Sequence, residues 1–141
     1  MKLEIRTKEK ITVVDLDVLA ARYAGIINIG KKSNKVWNTI AIEDESVDDF
    51  QCSLIGVAGF LKLKNGQNRS ECPKGLMSDK TVPCSSCMGR CVGLHPGKAK
   101  FFQRDPESPT LLNGKPVSQW GEEIKVGDAI SFAEVEICVT E

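Results

Sequence analysis

The sequence lacks most of the features typical of an enzyme or a membrane protein. It contains one histidine, His95, so a Ser/His/Asp or Cys/His catalytic site would depend on that single residue. It has no Walker-type phosphate loop and no dinucleotide-binding glycine fingerprint. No apolar run approaches the roughly 20 residues that a membrane-spanning helix needs, and residues 1–10 are too charged for a secretory signal. We therefore expect a protein that is not an enzyme and that is intracellular, in the cytoplasm.

The sequence also lacks a net charge, because 19 lysines and arginines balance 19 aspartates and glutamates. No overall charge therefore points to nucleic acid or to a membrane surface as the partner. The distribution is uneven, since the segment from Arg69 to Asp105 carries an excess of +4 and the remainder carries −4. The chain of 141 residues is long enough for one domain with a hydrophobic core.

Four cysteines lie close together in a segment that has few apolar residues. They are followed by the histidine, and the set is Cys72, Cys84, Cys87, Cys91 and His95. A short polar loop gains little stability from buried thiols, but it gains much from a metal ion or a disulfide. The Cys-x2-Cys spacing directs two thiolates to one point, as structural zinc sites require. Cys72 together with either Cys91 or His95 would complete the four ligands.

We interpret this cluster as a structural zinc site. Disulfide bonds, free thiols and an iron–sulfur cluster are the alternatives, and a reducing intracellular location favours the metal. Without a metal, His95 would be a surface imidazole before Pro96. Zinc deaminases also have a Pro-Cys-x-x-Cys motif, here residues 83–87, but their upstream metal ligand and glutamate are missing from this chain. The cluster therefore predicts a structural metal and no catalytic one.

Apolar residues alternate with polar ones along most of the chain, which is typical of half-buried antiparallel strands. Leu3 and Ile5 show this alternation, as do Val135 and Ile137. The pattern predicts strands at residues 2–6, 10–14, 25–29, 38–42, 50–56, 59–64, 109–112, 122–125 and 129–139. Many short strands at this spacing predict an all-β fold, an antiparallel β-sandwich.

Two segments depart from the alternation. Residues 15–24 have apolar residues at helical spacing behind a capping Asp15, and Gly25 follows as a stop, so they predict one short helix. Residues 67–106 contain four prolines and no sustained period. They predict a cysteine-rich, metal-binding insertion within a single domain that spans residues 1–141. Cys52 and Cys138 lie in strand-like stretches, and we expect both to be small buried core residues.

Several short motifs follow one another in a recognisable order. They are Ile29–Lys31, Asn38–Ile42, Ser46–Cys52, Leu112–Val117 and Ile124–Phe132. This order resembles the forkhead-associated (FHA) domain family over roughly residues 25–139, with the cysteine-rich segment as an insert. The resemblance implies an eleven-stranded, FHA-like or SMAD-like β-sandwich whose loops at one end bind phosphothreonine peptides.

The resemblance places the partner-binding residues at Lys31, Asp48, Asp49, Gln51 and Asn113. Phosphopeptide-binding members have an arginine, a serine, an arginine and a histidine at the first four positions, and only Asn113 keeps the family residue. Lys31 lacks the bidentate geometry of arginine. Asp48 and Asp49 would repel a phosphate group, which carries about −1.5 to −2 charges. The sequence therefore predicts that capture of phosphothreonine in the usual way is disfavoured.

Residues 43–49 contain five carboxylates, which form either a solvated loop or a docking surface for a basic partner. We predict a non-catalytic protein-interaction module, a scaffold or adaptor, with a zinc-stabilised insertion and no membrane partner. The alternative is a nucleic-acid-binding module, in which the basic insertion contacts phosphates and Phe101 and Phe102 stack on bases. Otherwise these two phenylalanines begin a strand that returns to the core.

Overall fold

The computed structural model describes residues 1–22, 26–33, 38–57, 60–67, 106–118 and 120–141. These residues form two β-sheets and a short helix, α1 (Leu16–Arg22). The helix begins where the sequence predicts it, because Asp15 caps it. The Oδ1 atom of Asp15 accepts hydrogen bonds from the backbone N–H groups of Asp17 at 2.9 Å and Val18 at 3.3 Å.

The first sheet contains six strands, β1 (Lys2–Arg6), β2 (Ile11–Asp15), β7 (Leu111–Leu112), β8 (Lys115–Pro116), β10 (Ala129–Phe132) and β11 (Val135–Thr140). Their order across the sheet is β2-β1-β11-β10-β7-β8. The second sheet contains five strands, β3 (Ile26–Lys31), β4 (Ile40–Ile42), β5 (Cys52–Val57), β6 (Phe60–Asn65) and β9 (Glu122–Glu123). Their order is β4-β3-β5-β6-β9.

One hydrophobic core joins the two sheets. In the first sheet Leu3 pairs with Val139 and Ile5 with Ile137, and all four side chains are buried. In the second sheet the paired residues of β3, β5 and β6 contribute Ile27, Leu54 and Leu63, each with no exposed surface. Full burial of such a side chain contributes roughly 1.5–3 kcal/mol. The period-two alternation in the sequence therefore marks the faces that hold the sandwich together.

The all-β sandwich predicted from the sequence is confirmed, with three differences in detail. The single strand predicted at 129–139 is two strands, because a turn at Ala133, where φ is 51°, separates β10 from β11. The short strand β8 was not predicted. β3 and β4 pair in parallel, whereas every other pair of neighbouring strands among the described residues is antiparallel. Period-two alternation is the same for both kinds of pairing, so it does not distinguish them.

The two cysteines expected in the core differ in burial. Cys52 is fully buried, which confirms the prediction for that residue. Cys138 is half-exposed, because it lies between the buried residues Ile137 and Val139 on the opposite face of β11. The prediction of a core position was therefore wrong for Cys138.

Candidate functional site

Four of the five predicted partner-binding residues meet at one edge of the sandwich. Lys31 ends β3, whereas Asp48, Asp49 and Gln51 lie between β4 and β5. The backbone N–H of Lys31 donates to the carbonyl oxygen of Asp48 at 3.0 Å, which joins these two parts of the chain. We call residues 31–33, 43–51 and 106–110 the loop edge.

Gln51 supports the loop edge from within. Its side chain is fully buried, and its Nε2 donates to the carbonyl oxygen of Ser108 at 2.8 Å and to Oγ1 of Thr110 at 3.1 Å. Its Oε1 accepts a hydrogen bond from the N–H of Asp48 at 3.3 Å. A buried amide needs such partners, because an unsatisfied polar group in the interior is destabilising. Gln51 therefore positions the loops and does not present its side chain at the surface.

Asp48 and Asp49 differ in their hydrogen bonding. The carboxylate of Asp48 accepts hydrogen bonds from the N–H groups of Phe50 at 2.8 Å and Glu107 at 3.3 Å, so it bridges two parts of the loop edge. The Oδ1 atom of Asp49 is buried and has no hydrogen-bond partner among the described residues. The Asp49 side chain is half-buried, and this Oδ1 atom is therefore not itself exposed at the loop edge.

A buried pair of amides, Asn38 and Gln67, forms the floor of the loop edge. The Nε2 atom of Gln67 donates to Oδ1 of Asn38 at 2.7 Å and to the carbonyl oxygen of Ile29 at 2.9 Å. The Nδ2 atom of Asn38 donates to the carbonyl oxygens of Asp49 at 2.9 Å and Lys31 at 3.4 Å. Neither residue was predicted to belong to the site, because Asn38 begins a predicted strand and Gln67 begins the predicted insertion, and a polar residue at such a boundary is usually solvated.

Gly30 lets two parts of the loop edge approach closely. A Cβ atom at this position would lie 2.3 Å from the carbonyl oxygen of Asp49 and 2.6 Å from Nδ2 of Asn38. Both distances are well below any van der Waals contact, so a larger residue would displace the backbone or the amide. The glycine of the motif Ile29–Lys31 is therefore explained by packing.

The acidic residues 43–45 are largely engaged with neighbouring groups. The carboxylate of Glu43 contacts the ammonium groups of Lys32 at 3.3 Å and Lys10 at 3.5 Å, and these partners lower the pKa of Glu43. Hydrogen bonds from the hydroxyl and N–H of Ser46 lower the pKa of Asp44. Glu45 is fully exposed, and its nearest cation is Lys31 at 3.9 Å. Two of these three carboxylates are therefore engaged with neighbouring groups, whereas that of Glu45 is solvated.

An open groove of about 940 Å³ runs along the loop edge. Its charged lining consists of three lysines and five carboxylates, Lys8, Glu9, Lys31, Lys32, Glu43, Asp44, Glu45 and Glu134. Several of these charges are paired with one another across the groove, as Lys8 is with Glu134 at 2.8 Å. The groove therefore has charges of both signs and an excess of two negative ones.

No family sequence model and no curated protein sequence matches the chain. Solved structures do match it. The FHA domain of FhaA, complexed with the intracellular domain of Rv3910, has a TM-score of 0.54 at 13% identity, with 97% of this chain and 96% of that chain covered. The FHA domain of CT664 from Chlamydia trachomatis has a TM-score of 0.52 at 6% identity, with 99% and 95% covered. The yeast splicing factor Pml1 has a TM-score of 0.55 at 15% identity, with 99% and 80% covered.

The chain has the FHA fold. The match covers nearly the whole chain, so it confirms the fold that the order of sequence motifs implied. At these identities the likeness establishes the fold alone. What the loop edge binds has to be inferred from its own residues.

Asn113, the fifth predicted site residue, has a turn-forming position in this FHA fold. It stands between β7 and β8 with a φ of 52°, followed by Gly114 with a φ of 82°. Its Nδ2 donates to Oδ1 of Asp128 at 3.0 Å, and its Oδ1 accepts from the N–H of Ala129 at 2.9 Å. None of the hydrogen bonds found for Asn113 in the described part of the chain reaches Lys31 or Asp48. These hydrogen bonds of Asn113 support the turn between β7 and β8, and its part in partner binding stays a prediction.

The predicted metal site lies outside the described residues of the FHA-fold domain. This applies to every candidate ligand, Cys72, Cys84, Cys87, Cys91 and His95, and to the predicted insertion that carries them. Within the ranges that the structure describes, no group of three or more His, Cys, Asp or Glu residues could hold a metal ion. The same described ranges contain no helix long and apolar enough to cross a membrane. The zinc site therefore stays a prediction.

Proposed function

We propose that this domain is a non-catalytic protein-interaction module that binds its partner at the loop edge. The observation that carries the proposal is the convergence of Lys31, Asp48 and Asp49 on a buried network of amide hydrogen bonds within an FHA fold. Loops that a scaffold holds in place lose less entropy on binding than free loops do. Two solved structures of this fold come from studies of assemblies, namely FhaA with the intracellular domain of Rv3910 and Pml1 in the RES complex.

We further propose that the loop edge does not capture phosphothreonine in the usual way. A phosphate beside Lys31 would meet one ammonium group that already has the Glu45 carboxylate at 3.9 Å. It would also approach Asp48 and Asp49, whose negative charges oppose it. An exposed carboxylate such as that of Glu45 instead suits a partner that offers N–H donors or basic side chains.

The partner experiment uses two carboxylates that make no hydrogen bond found among the described residues, Glu45 and Asp49. The double variant Glu45→Ser, Asp49→Ser should lose the partner captured from the native host, whereas the control Glu122→Ser, Glu123→Ser at β9 should keep it. A photo-crosslinker at residue 45, but not one at residue 123, should attach to that partner. Retention of the partner by both variants, without crosslinking at residue 45, would refute binding at the loop edge.

The nucleic-acid alternative predicts a different outcome in the same experiment. Captured RNA or DNA would be lost on changing Arg90, Lys98 and Lys100 to serine, and its binding would weaken steeply with salt. Loss of binding in that variant alone would favour a nucleic-acid module over a protein-interaction module.

We also propose that one structural zinc ion binds the cysteine-rich insertion. Cys72, Cys84, Cys87 and Cys91 are its ligands, with His95 as the substitute for one of them. Structural zinc contributes on the order of 10 kcal/mol to the ordering of small modules, so the insertion should depend on it. Elemental analysis should find one zinc per chain, and Cys84→Ser with Cys87→Ser should remove it, whereas Cys138→Ser should not. Cysteines paired under non-reducing conditions, with no metal present, would show disulfides instead.

A further inference from the structure

The segment of residues 68–105 leaves and re-enters the described chain at the loop edge. On its first side stands Gln67, which is buried and hydrogen-bonded to Asn38. On its second side stand Ser108 and Thr110, which both accept hydrogen bonds from Gln51. The described residues on both sides of the segment are therefore held by hydrogen bonds of buried amide side chains.

We propose that Gln67 and Asn38 are positioning residues that couple the chain at Gln67 to the partner-binding loops at Lys31 and Asp49. This inference rests on the proposed function of the loop edge. A conformational change that moves Gln67 also moves Asn38, and through Asn38 the backbone of Lys31 and Asp49.

The coupling follows from the hydrogen bonds that link the Gln67 and Asn38 side-chain amides to each other and to the backbone. Gln67 Nε2 donates to Asn38 Oδ1 and to the carbonyl oxygen of Ile29 in β3. It also contacts the carbonyl oxygen of Cys52 in β5 at 3.2 Å, so one amide group links both strands to Asn38. The Asn38 amide is thereby oriented with its Nδ2 toward the carbonyl oxygen of Asp49. Rotation of Asn38 would forfeit the Gln67 and Asp49 bonds together, because one amide group makes both.

The close packing at the floor of the loop edge leaves the Asp49 backbone little room to move. The carbonyl oxygen of Asp49 lies so close to Gly30 that even a methyl group would not fit between them. The Lys31 N–H is bonded to Asp48, and the Phe50 N–H is bonded to the Asp48 carboxylate. A shift of the Asp49 backbone therefore also moves Asp48 and Phe50. Hydrogen exchange of the Lys31 and Phe50 amides would detect that movement.

The test measures amide hydrogen exchange of the full chain by NMR. Gln67→Met keeps the approximate volume but removes the donors, and Asn38→Asp keeps the acceptor for Gln67 but removes the donor to Asp49. Both variants should raise the exchange rates of the Lys31 and Phe50 amides by about 10-fold or more over the amides of β1 and β11. The control is Ile137→Val, a core change in the first sheet. Exchange in each protein is measured at the same number of degrees below that protein's own melting temperature.

Uniform acceleration of all amides, as in the control, would overturn the proposal, because Gln67 and Asn38 would then support only global stability. Unchanged exchange at Lys31 and Phe50 would overturn it as well. The exchange rates are measured without a partner, so failure of the proposed partner binding would leave this result decisive.

Discussion

The substitution Gly30→Ala should destabilise the domain through steric overlap. The new methyl group would lie 2.3 Å from the carbonyl oxygen of Asp49 and 2.6 Å from Nδ2 of Asn38, which are the two partners of one hydrogen bond. Forcing an extra methyl into a packed site costs about 1–3 kcal/mol, and the strained hydrogen bond adds about 1 kcal/mol. The expected loss is therefore about 2–4 kcal/mol. At about 4 °C per kcal/mol for a domain of this size, the melting temperature should fall by about 8–16 °C.

The matched control for Gly30→Ala is Gly114→Ala. Gly114 has a φ of 82° and no atom within 4 Å of its virtual Cβ, so its substitution costs backbone strain without overlap. That strain is about 1–2 kcal/mol. Thermal unfolding followed by circular dichroism should rank Gly30→Ala as the more damaging change. A melting temperature within about 2 °C of the parent for Gly30→Ala would refute the packing described for the loop edge.

Three further predictions concern individual side chains. Burial raises the pKa of the Cys52 thiol to about 12, so peptide mapping at pH 8 should show alkylation of Cys138 in the folded protein and of Cys52 only after unfolding. Because that folded pKa exceeds the ordinary value of 9.0, the stability that Cys52 contributes is complete below pH 9 and is lost as the pH rises toward 12. The free energy of unfolding, measured with urea, should therefore decline less between pH 8 and pH 10 for Cys52→Ala than for the parent. Asn113→Ala should lower stability by about 1–3 kcal/mol through its lost bonds to Asp128 and Ala129. If these bonds are its whole role, the variant keeps the partner, whereas loss of binding beyond the loss of stability would show that Asn113 contacts the partner.

The sandwich was largely predictable because successive side chains of a strand point to opposite faces, so that buried residues recur at every second position of the sequence. Leu3 and Ile5 are inward-facing in the sequence pattern and are buried in the structure. The turn at Ala133 was not predictable, since an alanine at positive φ carries none of the glycine or asparagine signals of a tight turn. β8 consists of Lys115 and Pro116 alone, and two residues show no alternation.

The candidate site was predictable only in part. The motif order placed Lys31 near Asp48, and the structure joins them by a hydrogen bond. The pairing of Asn38 with Gln67 spans 29 positions of sequence and depends on how two loops pack, which composition and periodicity do not encode. Gln51 is another such case, because its partners Ser108 and Thr110 come from the far side of the predicted insertion.

The most direct test of the proposed function is phosphothreonine-peptide binding by the unmodified domain, measured by isothermal titration calorimetry beside the same peptides without phosphate. A gain-of-binding variant, Lys31→Arg with Asp48→Ser and Asp49→Arg, provides the positive control, and the buried Gln51 is left unchanged in it. We expect no phosphate-dependent binding tighter than about 1 mM for the parent, equivalent to about −4 kcal/mol, and measurable binding for the variant. Micromolar, phosphate-dependent binding by the parent would contradict it.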